Sequence, residues 1–581
     1  MSKKSNNHKT YHFTSDGFGG IDLKNPKQNA EDVYNFRIMP DGSIMKRQGF
    51  NRLARLPAAP SYFGVLNKNS SEVGVAVIGN KIFEVDLQSG DTTQYQGTLD
   101  GTPTKCGTVV YNENMLIFDG TRPKAVINGQ VKDLNGYAPL YGKAWHPNDR
   151  GPINEEMNMA SDHYRVSYSL SLDTEKIRLP NSAVSIDYVE VDGEPLYVYS
   201  FDKNTKYVHS DYFSSDGGSA TFWVTFNNEN VTALHGCTCA TSVSVGSSPV
   251  LFCYGRQGMD GRFCMRSSPV LEEEKQNIGY VYSDELDIYI PYGSSFTVGG
   301  GENTIRAVIP FDERVIVFTD HDAWFVPITS DSITPKMLNK SVGCSSPYSV
   351  AYCGDSPVTV CHDRLFFWTP TLDPYNPLSA VSVSGSVELP KSSDDKFVKV
   401  FVDHYSSEIW VFKENSDIDS IMIYDYESKK WFSFGDFYPI FVFNYGGQVG
   451  FVEGNGIFLF NDDAVYDENI DGLHKNISAV YTSAWTKIDD TGKIKHADRL
   501  ITEADLGNLG MIAMTLLYNY GTVDNFIYPM TESSVSPQII VKRRPHSRFR
   551  EVRFTVTASG PNRERIYDVA LEMTVDEKNQ Y

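Results

Sequence analysis

Three oxygen-bearing side chains are spaced as in the first half of a calcium-binding loop. Asp467, Asn469 and Asp471, followed by Gly472, give the pattern D-x-N-x-D-G, whose alternate side chains can surround Ca²⁺. The twelfth position, where a bidentate glutamate would complete an EF-hand, is Ser478. The incomplete pattern predicts an Asx-rich turn, with a calcium turn of another type as the alternative.

A second short motif, Ser214–Gly218, approaches the S-x-D-x-G turn that is found in glycosidase propellers. It occurs once, and the threonine–aromatic pair that should follow it is missing. Glycoside hydrolysis also needs two positioned carboxylates, and the sequence singles out no such pair. We therefore interpret the motif as a hairpin turn, assign no catalytic residue and expect that the protein is not an enzyme.

The sequence also predicts no cofactor and no metal site. Cys237 and Cys239 are separated by one residue, which is too close for the usual zinc pairing, and the eight cysteines of this 581-residue chain are expected to be reduced, structural thiols. Gly299–Gly301 lacks the lysine and helix of a phosphate loop. No apolar signal segment or membrane-spanning run is found.

One dense basic segment stands out in a chain whose net charge is −21. That balance argues against a broad nucleic-acid-binding face, because such a face needs clustered lysine and arginine. The segment is expected to contact an acidic surface of a neighbouring subunit, and a solvated sheet edge that resists aggregation is the alternative. The possible interface residues are Lys542, Arg543, Arg544, Arg548 and Arg550.

The sequence predicts that these residues lie on or between short β-strands, which recur along the chain in a regular pattern. His404–Phe434 contains three apolar runs separated by polar turns, and similar pairs of runs recur along the chain. Most recur at intervals of about 40–50 residues, which is typical of four-stranded propeller blades. The pattern predicts an all-β protein with a six- or seven-bladed β-propeller, and unrelated hairpins in two or three sandwiches are the alternative. The first apolar residues of the repeats are Val75, Met115, Val250, Val315, Leu365, Ile409 and Val449.

The alternation of apolar and polar residues divides the chain into further segments. Period-two alternation predicts an inserted immunoglobulin-like sandwich, with Ile186, Val189, Phe222, Val224 and Phe226 in its core, and a second sandwich at the C-terminus. The predicted division is a disordered arm (1–12), an N-terminal hairpin with the first propeller blades (13–160), the inserted sandwich (161–240), the remaining blades (241–477) and the C-terminal β-sandwich (478–581).

The N-terminal region resembles a known family of phage proteins. Its pattern consists of Gly19–Leu23, Asn35–Arg37, Asp41-Gly42 and Lys46–Phe50, and it resembles the start of tail proteins from tailed bacteriophages. The order of the runs DERVIVF, DRLFFW and SEIWVF is similar to that in the tail-nozzle, or packaged-DNA stabilisation, proteins of short-tailed phages.

The resemblance implies a virion structural protein in the tail or neck, assembled in the host cytoplasm. It would form a homohexameric ring beside the portal and adaptor proteins, with tail fibres or spikes as further partners. Viral DNA would be retained by this ring and pass through it during ejection, without sequence-specific binding. A carbohydrate-binding or glycan-cleaving propeller that recognises a host-surface receptor is the alternative function.

Overall fold

A computed structural model describes most of the chain. The described residues are 8–22, 29–68, 71–141, 144–145, 152–153, 156–214, 217–226, 234–245, 248–256, 260–301, 303–328, 333–373, 377–393, 396–414, 421–488, 494–507, 510–519, 521–529 and 538–575. They consist almost entirely of strands and loops, so the all-β prediction is confirmed. The chain divides into two compact units: unit 1 contains Met1–Ala59, Asp86–Asp91 and Tyr348–Tyr581, and unit 2 contains Pro60–Val85 and Thr92–Pro347.

Unit 1 begins with a hairpin that the sequence predicted. Gly42 has a φ of 84°, a left-handed conformation that glycine adopts without steric cost, and Asp41 accepts a hydrogen bond from the backbone of Ser43 at 3.1 Å. The strands of this region are β1 (His8–His12), β2 (Ala30–Tyr34), β3 (Phe36–Ile38), β4 (Ile44–Lys46) and β5 (Gly49–Arg55).

The N-terminal strands pair with the C-terminal end of the chain. His8–His12 run antiparallel to the last strand, Arg565–Val575, and β4 pairs with that same strand. The predicted disordered arm is therefore wrong for residues 8–12, because backbone pairing orders them, whereas residues 1–7 lie outside the described residues. The predicted division grouped the hairpin with the chain up to residue 160, but its strands join a C-terminal sheet instead.

Unit 2 begins with two four-stranded antiparallel sheets, each in chain order. In the second sheet, Asn112-Glu113 and Asn128-Gly129 all have positive φ, which is the conformation that closes two-residue hairpins. The strands are β6 (Tyr62–Lys68), β7 (Ser71–Ile78), β8 (Lys81–Asp86), β9 (Thr92–Gln94), β10 (Gly107–Tyr111), β11 (Asn114–Phe118), β12 (Lys124–Ile127) and β13 (Gln130–Asp133).

The next part of unit 2 holds two small sheets that share one core. Val189, Phe222, Val224 and Phe226 are buried there as predicted, and Ile186 packs against them partly buried. The strands are β14 (Ala144–Trp145), β15 (Pro152–Ile153), β16 (His163–Ser169), β17 (Lys176–Arg178), β18 (Ala183–Val191), β19 (Glu194–Pro195), β20 (Ser200–Asp202), β21 (Tyr207–His209) and β22 (Ser219–Phe226). β14 and β15 pair only with each other among the described strands, and the two sheets of the core have the orders β16-β22-β18-β19 and β17-β21-β20.

This inserted module is also tied to the chain that flanks it. Arg165 is buried, and its guanidinium donates to the Tyr137 hydroxyl at 2.7 Å and to the Glu274 carboxylate at 2.6 Å. Removal of the module would therefore leave the buried Tyr137 hydroxyl without this donor. The apolar core also extends beyond the predicted bounds 161–240, because Tyr141 and Met157 pack against it.

Two more four-stranded sheets follow in unit 2, and one opens the second part of unit 1. Each again runs in chain order. The strands are β23 (Cys239–Val245), β24 (Ser248–Tyr254), β25 (Phe263–Arg266), β26 (Ser295–Thr297), β27 (Ile305–Phe311), β28 (Arg314–Thr319), β29 (Ala323–Pro327), β30 (Lys336–Asn339), β31 (Val350–Cys353), β32 (Ser356–Cys361), β33 (Arg364–Pro370) and β34 (Leu378–Ser382).

The repeat unit His404–Phe434 has the predicted strands, and the array after it is completed by the N-terminal β5. The three predicted runs agree with β36–β38 to within one residue at each end. In the following array the order is β39-β40-β41-β5, with Asn461 opposite Gly49. The strands are β35 (Val398–Asp403), β36 (Glu408–Lys413), β37 (Ile421–Asp425), β38 (Lys430–Phe434), β39 (Phe441–Tyr445), β40 (Gln448–Glu453), β41 (Gly456–Asn461), β42 (Tyr466–Glu468) and β43 (His474–Asn476).

The C-terminal strands enclose the largest apolar core of unit 1. One sheet has the order β3-β4-β51-β46-β49, and another path, β2-β44-β50-β47-β48, continues from β38. Buried side chains such as Phe18, Tyr481 and Phe554 fill the core. The strands are β44 (Ala479–Ser483), β45 (Thr486–Lys487), β46 (Lys495–Asp505), β47 (Met511–Tyr518), β48 (Val523–Pro529), β49 (Gln538–Phe549), β50 (Glu551–Ala558) and β51 (Arg565–Val575).

Candidate functional site

Three basic residues of the N-terminal pattern form buried ion pairs in unit 1, and we call this set the buried junction. Arg37, Lys46 and Arg47 lie on or directly after the β3–β4 hairpin. Their carboxylate partners come from distant parts of the chain and are Glu408, Glu564 and Asp467, respectively.

The Arg47 guanidinium is fully buried and makes hydrogen bonds with all its nitrogens. Nη1 and Nη2 donate to the two carboxylate oxygens of Asp467 at 2.8 and 2.6 Å, and Nε donates to the Asn35 side-chain oxygen at 2.9 Å. The backbone oxygens of Gln48 and Gly435 accept further bonds at 3.0 and 3.1 Å. Because a guanidinium has five N–H donors, the five bonds satisfy it completely.

Of the other two pairs, one is fully buried and one is largely buried, with the Arg37 side chain 13% exposed. Lys46 Nζ lies 2.6 Å from a Glu564 carboxylate oxygen, and both side chains have 0% exposure. Arg37 Nε and Nη2 contact the two oxygens of Glu408 at 2.8 and 3.0 Å. The indole of Trp410 donates to the same carboxylate at 3.0 Å.

Burial shifts the pKa values of three of these groups against their charged forms. It raises the pKa of Glu408, although Arg37 and Trp410 oppose that shift, and it raises the pKa of Asp467 against the effect of Arg47. It lowers the pKa of Lys46, which the Glu564 carboxylate opposes. For Glu408, Asp467 and Lys46, desolvation therefore shifts the pKa more than the ion-pair partner does.

The end of the N-terminal pattern, Gly49-Phe50, has a packing role. A Cβ on Gly49 would lie 1.9 Å from the carbonyl oxygen of Tyr466, so only glycine allows β5 to approach β42 this closely. The Phe50 ring packs edge-on against Phe451 with ring centroids 4.8 Å apart. Gly49 and Phe50 therefore pack β5 into its sheet, while Arg37, Lys46 and Arg47 are directed to carboxylates of the protein.

The calcium-like pattern takes part in this junction. Both oxygens of Asp467 bind Arg47, and the Asn469 side-chain oxygen accepts from the backbone N–H groups of Asp471 and Leu473 at 3.0 and 2.9 Å. These bonds are those of the Asx-rich turn that the incomplete pattern predicted. Within the described ranges, no group of three or more His, Cys, Asp or Glu side chains is arranged to hold a metal ion.

The basic segment lies on an outer strand of the C-terminal sheet. Lys542, Arg548 and Arg550 are exposed, while Phe549 between the two arginines is buried. The ammonium of Lys542 is 5.1 Å from the centre of the Tyr528 ring. The side chains of Arg543 and Arg544 lie outside the described residues, although their backbone belongs to β49. The interface role of the five residues stays a prediction.

The remaining candidates have structural surroundings. Ser214 donates a hydrogen bond to the carbonyl oxygen of Leu172, whereas residues 215 and 216 of that turn lie outside the described residues. All eight cysteines are free thiols, and burial raises the pKa of Cys237 to about 12 and that of Cys239 to about 11. No helix in the described part of the chain has the length and apolar character to cross a membrane.

Comparisons with known proteins give only distant similarities. No protein-family profile matches the chain, and no curated protein matches its sequence. Among solved structures, the AfRom2 CNH domain is 6% identical with a TM-score of 0.35 and covers 71% of this chain and 99% of its own. A functionally unknown protein from Desulfotomaculum acetoxidans is 9% identical with a TM-score of 0.28 and covers 62% and 93%. These TM-scores are below 0.5, so neither similarity assigns a fold or a function.

Proposed function

We propose that this protein is a non-enzymatic structural component of a tailed-phage virion, built on a seven-bladed β-propeller. The observation that carries the proposal is the role of the N-terminal pattern. Its residues Arg37, Lys46 and Arg47 pair with carboxylates from distant parts of the chain, and Gly49 lets β5 approach β42, so the resemblance to phage tail proteins concerns residues with a definite folding role.

The arrangement of strands supports a propeller. Among the described strands, five four-stranded antiparallel sheets run in chain order, namely β6–β9, β10–β13, β23–β26, β27–β30 and β31–β34. Two further four-stranded arrays are parts of larger sheets: β35–β38 belongs to a ten-stranded sheet, and β39–β41 with β5 belongs to a six-stranded sheet, which gives seven candidate blades. In the seventh array, the last strand comes from the N-terminal region and directly precedes the first array. A propeller closed in this way has only short, protected edges.

The charge of the chain supports a role beside DNA without tight binding to it. A net charge of −21 repels phosphates, so a duplex could slide past the protein instead of being held by it. In the proposed role, copies of the chain form a ring in the tail or head-to-tail channel, next to portal and adaptor proteins.

The test is to locate and count the chain in particles. Quantitative mass spectrometry of density-purified virions from the source of this sequence should detect its peptides at a constant ratio to the portal protein. Native mass measurement and imaging of the purified chain should give a cyclic oligomer of six copies. Peptides found only in the soluble host lysate, together with a monomer that does not bind portal or adaptor, would contradict the proposal.

A further inference from the structure

A large groove opens on the inserted module of unit 2. It encloses about 790 Å³ and lies between three segments of unit 2: the loop before β17, the chain entering β20 and the turn after β21. Its lining residues are Leu172, Asp173, Thr174, Glu175, Val198 and Tyr199, with Ser200, His209, Ser210, Asp211, Tyr212 and Ser214. We call it the module groove.

Hydrogen bonds and one buried ring fix the walls of the module groove. The Ser210 hydroxyl donates to the carbonyl oxygen of Val198 at 2.7 Å and accepts from the backbone N–H of Tyr212 at 3.3 Å. Ser214 donates to the carbonyl oxygen of Leu172, and the Phe213 side chain is fully buried. These contacts join all three segments, so the groove is largely formed before any ligand arrives.

The lining combines exposed apolar surface with carboxylates. Tyr212, Leu172 and Val198 are 61%, 65% and 66% exposed, which is unusual for large apolar side chains so close together. Asp173, Glu175 and Asp211 line the same space. An aromatic ring offers a flat apolar face, and carboxylates accept hydrogen bonds from hydroxyl groups.

The charge of the lining restricts the ligand. Among the described lining residues none is lysine or arginine, and His209 is the single side chain of this set that could become cationic. Anionic ligands such as phosphates or sialylated sugars would meet three carboxylates without compensation. A neutral sugar can stack its C–H face on an aromatic ring and donate its hydroxyl hydrogens to carboxylates.

We propose that the module groove binds a neutral saccharide, with Tyr212 as the stacking surface and Asp173 and Glu175 as hydroxyl acceptors. This inference goes beyond a structural role in a virion and does not depend on it, because the purified chain alone should bind. Glycan binding would be a role of the module in addition to the proposed structural role of the chain.

The test uses the full chain and an array of neutral and sialylated oligosaccharides, followed by calorimetric titration of the best neutral hit. Tyr212→Ala should weaken binding about tenfold, because loss of an aromatic contact removes roughly 1.4 kcal/mol. Tyr197→Ala is the matched control, since Tyr197 is 82% exposed in the same module but does not line the groove. The double variant Asp173→Asn/Glu175→Gln changes exposed positions and should also weaken binding several-fold.

Several results would overturn the inference. The intact chain could fail to bind any neutral saccharide, or it could prefer sialylated glycans. Tyr212→Ala and Tyr197→Ala could also lower the binding affinity equally. Binding of an oligolysine peptide that depends on Asp173 and Glu175, in the absence of saccharide binding, would instead indicate a basic protein partner. Thermal melts of each variant separate lost binding from lost folding, and the carboxylate variant keeps the test decisive if Tyr212→Ala does not fold.

Discussion

Replacing Arg47 with methionine tests the buried junction directly. Methionine keeps an unbranched apolar side chain but removes the guanidinium, so the carboxylate of Asp467 stays buried without its bidentate partner. Breaking one side of a buried pair typically destabilises a protein by about 3–5 kcal/mol. For a cooperative unit of this size we expect the melting temperature to fall by about 6–15 °C.

The assay is thermal and urea unfolding followed by circular dichroism, with Arg55→Met as the matched control. Arg55 is an exposed residue at the end of β5, so its replacement should change stability by less than about 0.5 kcal/mol. The double variant Arg47→Met/Asp467→Leu should recover part of the loss, because it removes both buried charges. Equal stability of Arg47→Met and Arg55→Met would refute the reasoning, and so would a double variant whose losses simply add.

Three further predictions concern the same chain. Gly49→Ala should prevent soluble expression or sharply lower the melting temperature, because the new Cβ meets the Tyr466 carbonyl, whereas Gly300→Ala, with open space around it, should express normally. Since the pKa of Glu408 is raised in the fold, its contribution is fully present below the unfolded pKa and is lost as pH rises through the folded pKa. Urea unfolding at a series of pH values upward from about 4 should therefore show Glu408→Gln gaining stability relative to the parent as the pH rises, and an unchanged difference would argue against that shift. Replacing the four arginines of the basic segment with glutamate should weaken ring or connector assembly without unfolding the monomer, and intact assembly in sedimentation would exclude the interface role; the four are Arg543, Arg544, Arg548 and Arg550.

Local patterns in the sequence predict local structure well. The runs of His404–Phe434 are the observed strands, and Asp41-Gly42 closes a hairpin, because alternation and turn chemistry act over a few residues. Arg47 and Asp467 are 420 positions apart, and nothing near either residue indicates the other. Asp467 lies in a pattern that suggests Ca²⁺ as its ligand instead of Arg47. A carboxylate can bind either a metal ion or a guanidinium, so the residue type does not distinguish them.

The module groove was equally hidden from the sequence. Its lining comes from three segments whose order along the chain does not reveal that they meet, and the tyrosine that carries the proposed stacking is one of 34. The sequence contains one local signal for this site, the Ser210-Asp211 pair before Tyr212. Serine commonly caps short helical turns, and Tyr212 lies in the turn that Ser210 caps.

Because β5 pairs with β41, the native partner of β5 is made only late in synthesis of the protein. A ribosome adds about 5–20 residues per second, so the 420 positions between Arg47 and Asp467 take about 20 to 80 s to translate. During that interval Arg47, which is buried in the folded protein, and the edge of β5 have no native partners. They must remain exposed to water or be bound by a chaperone. Loss of the C-terminal part by premature termination would leave the N-terminal hairpin unpaired, so we expect truncated products to be degraded instead of accumulating as partial domains.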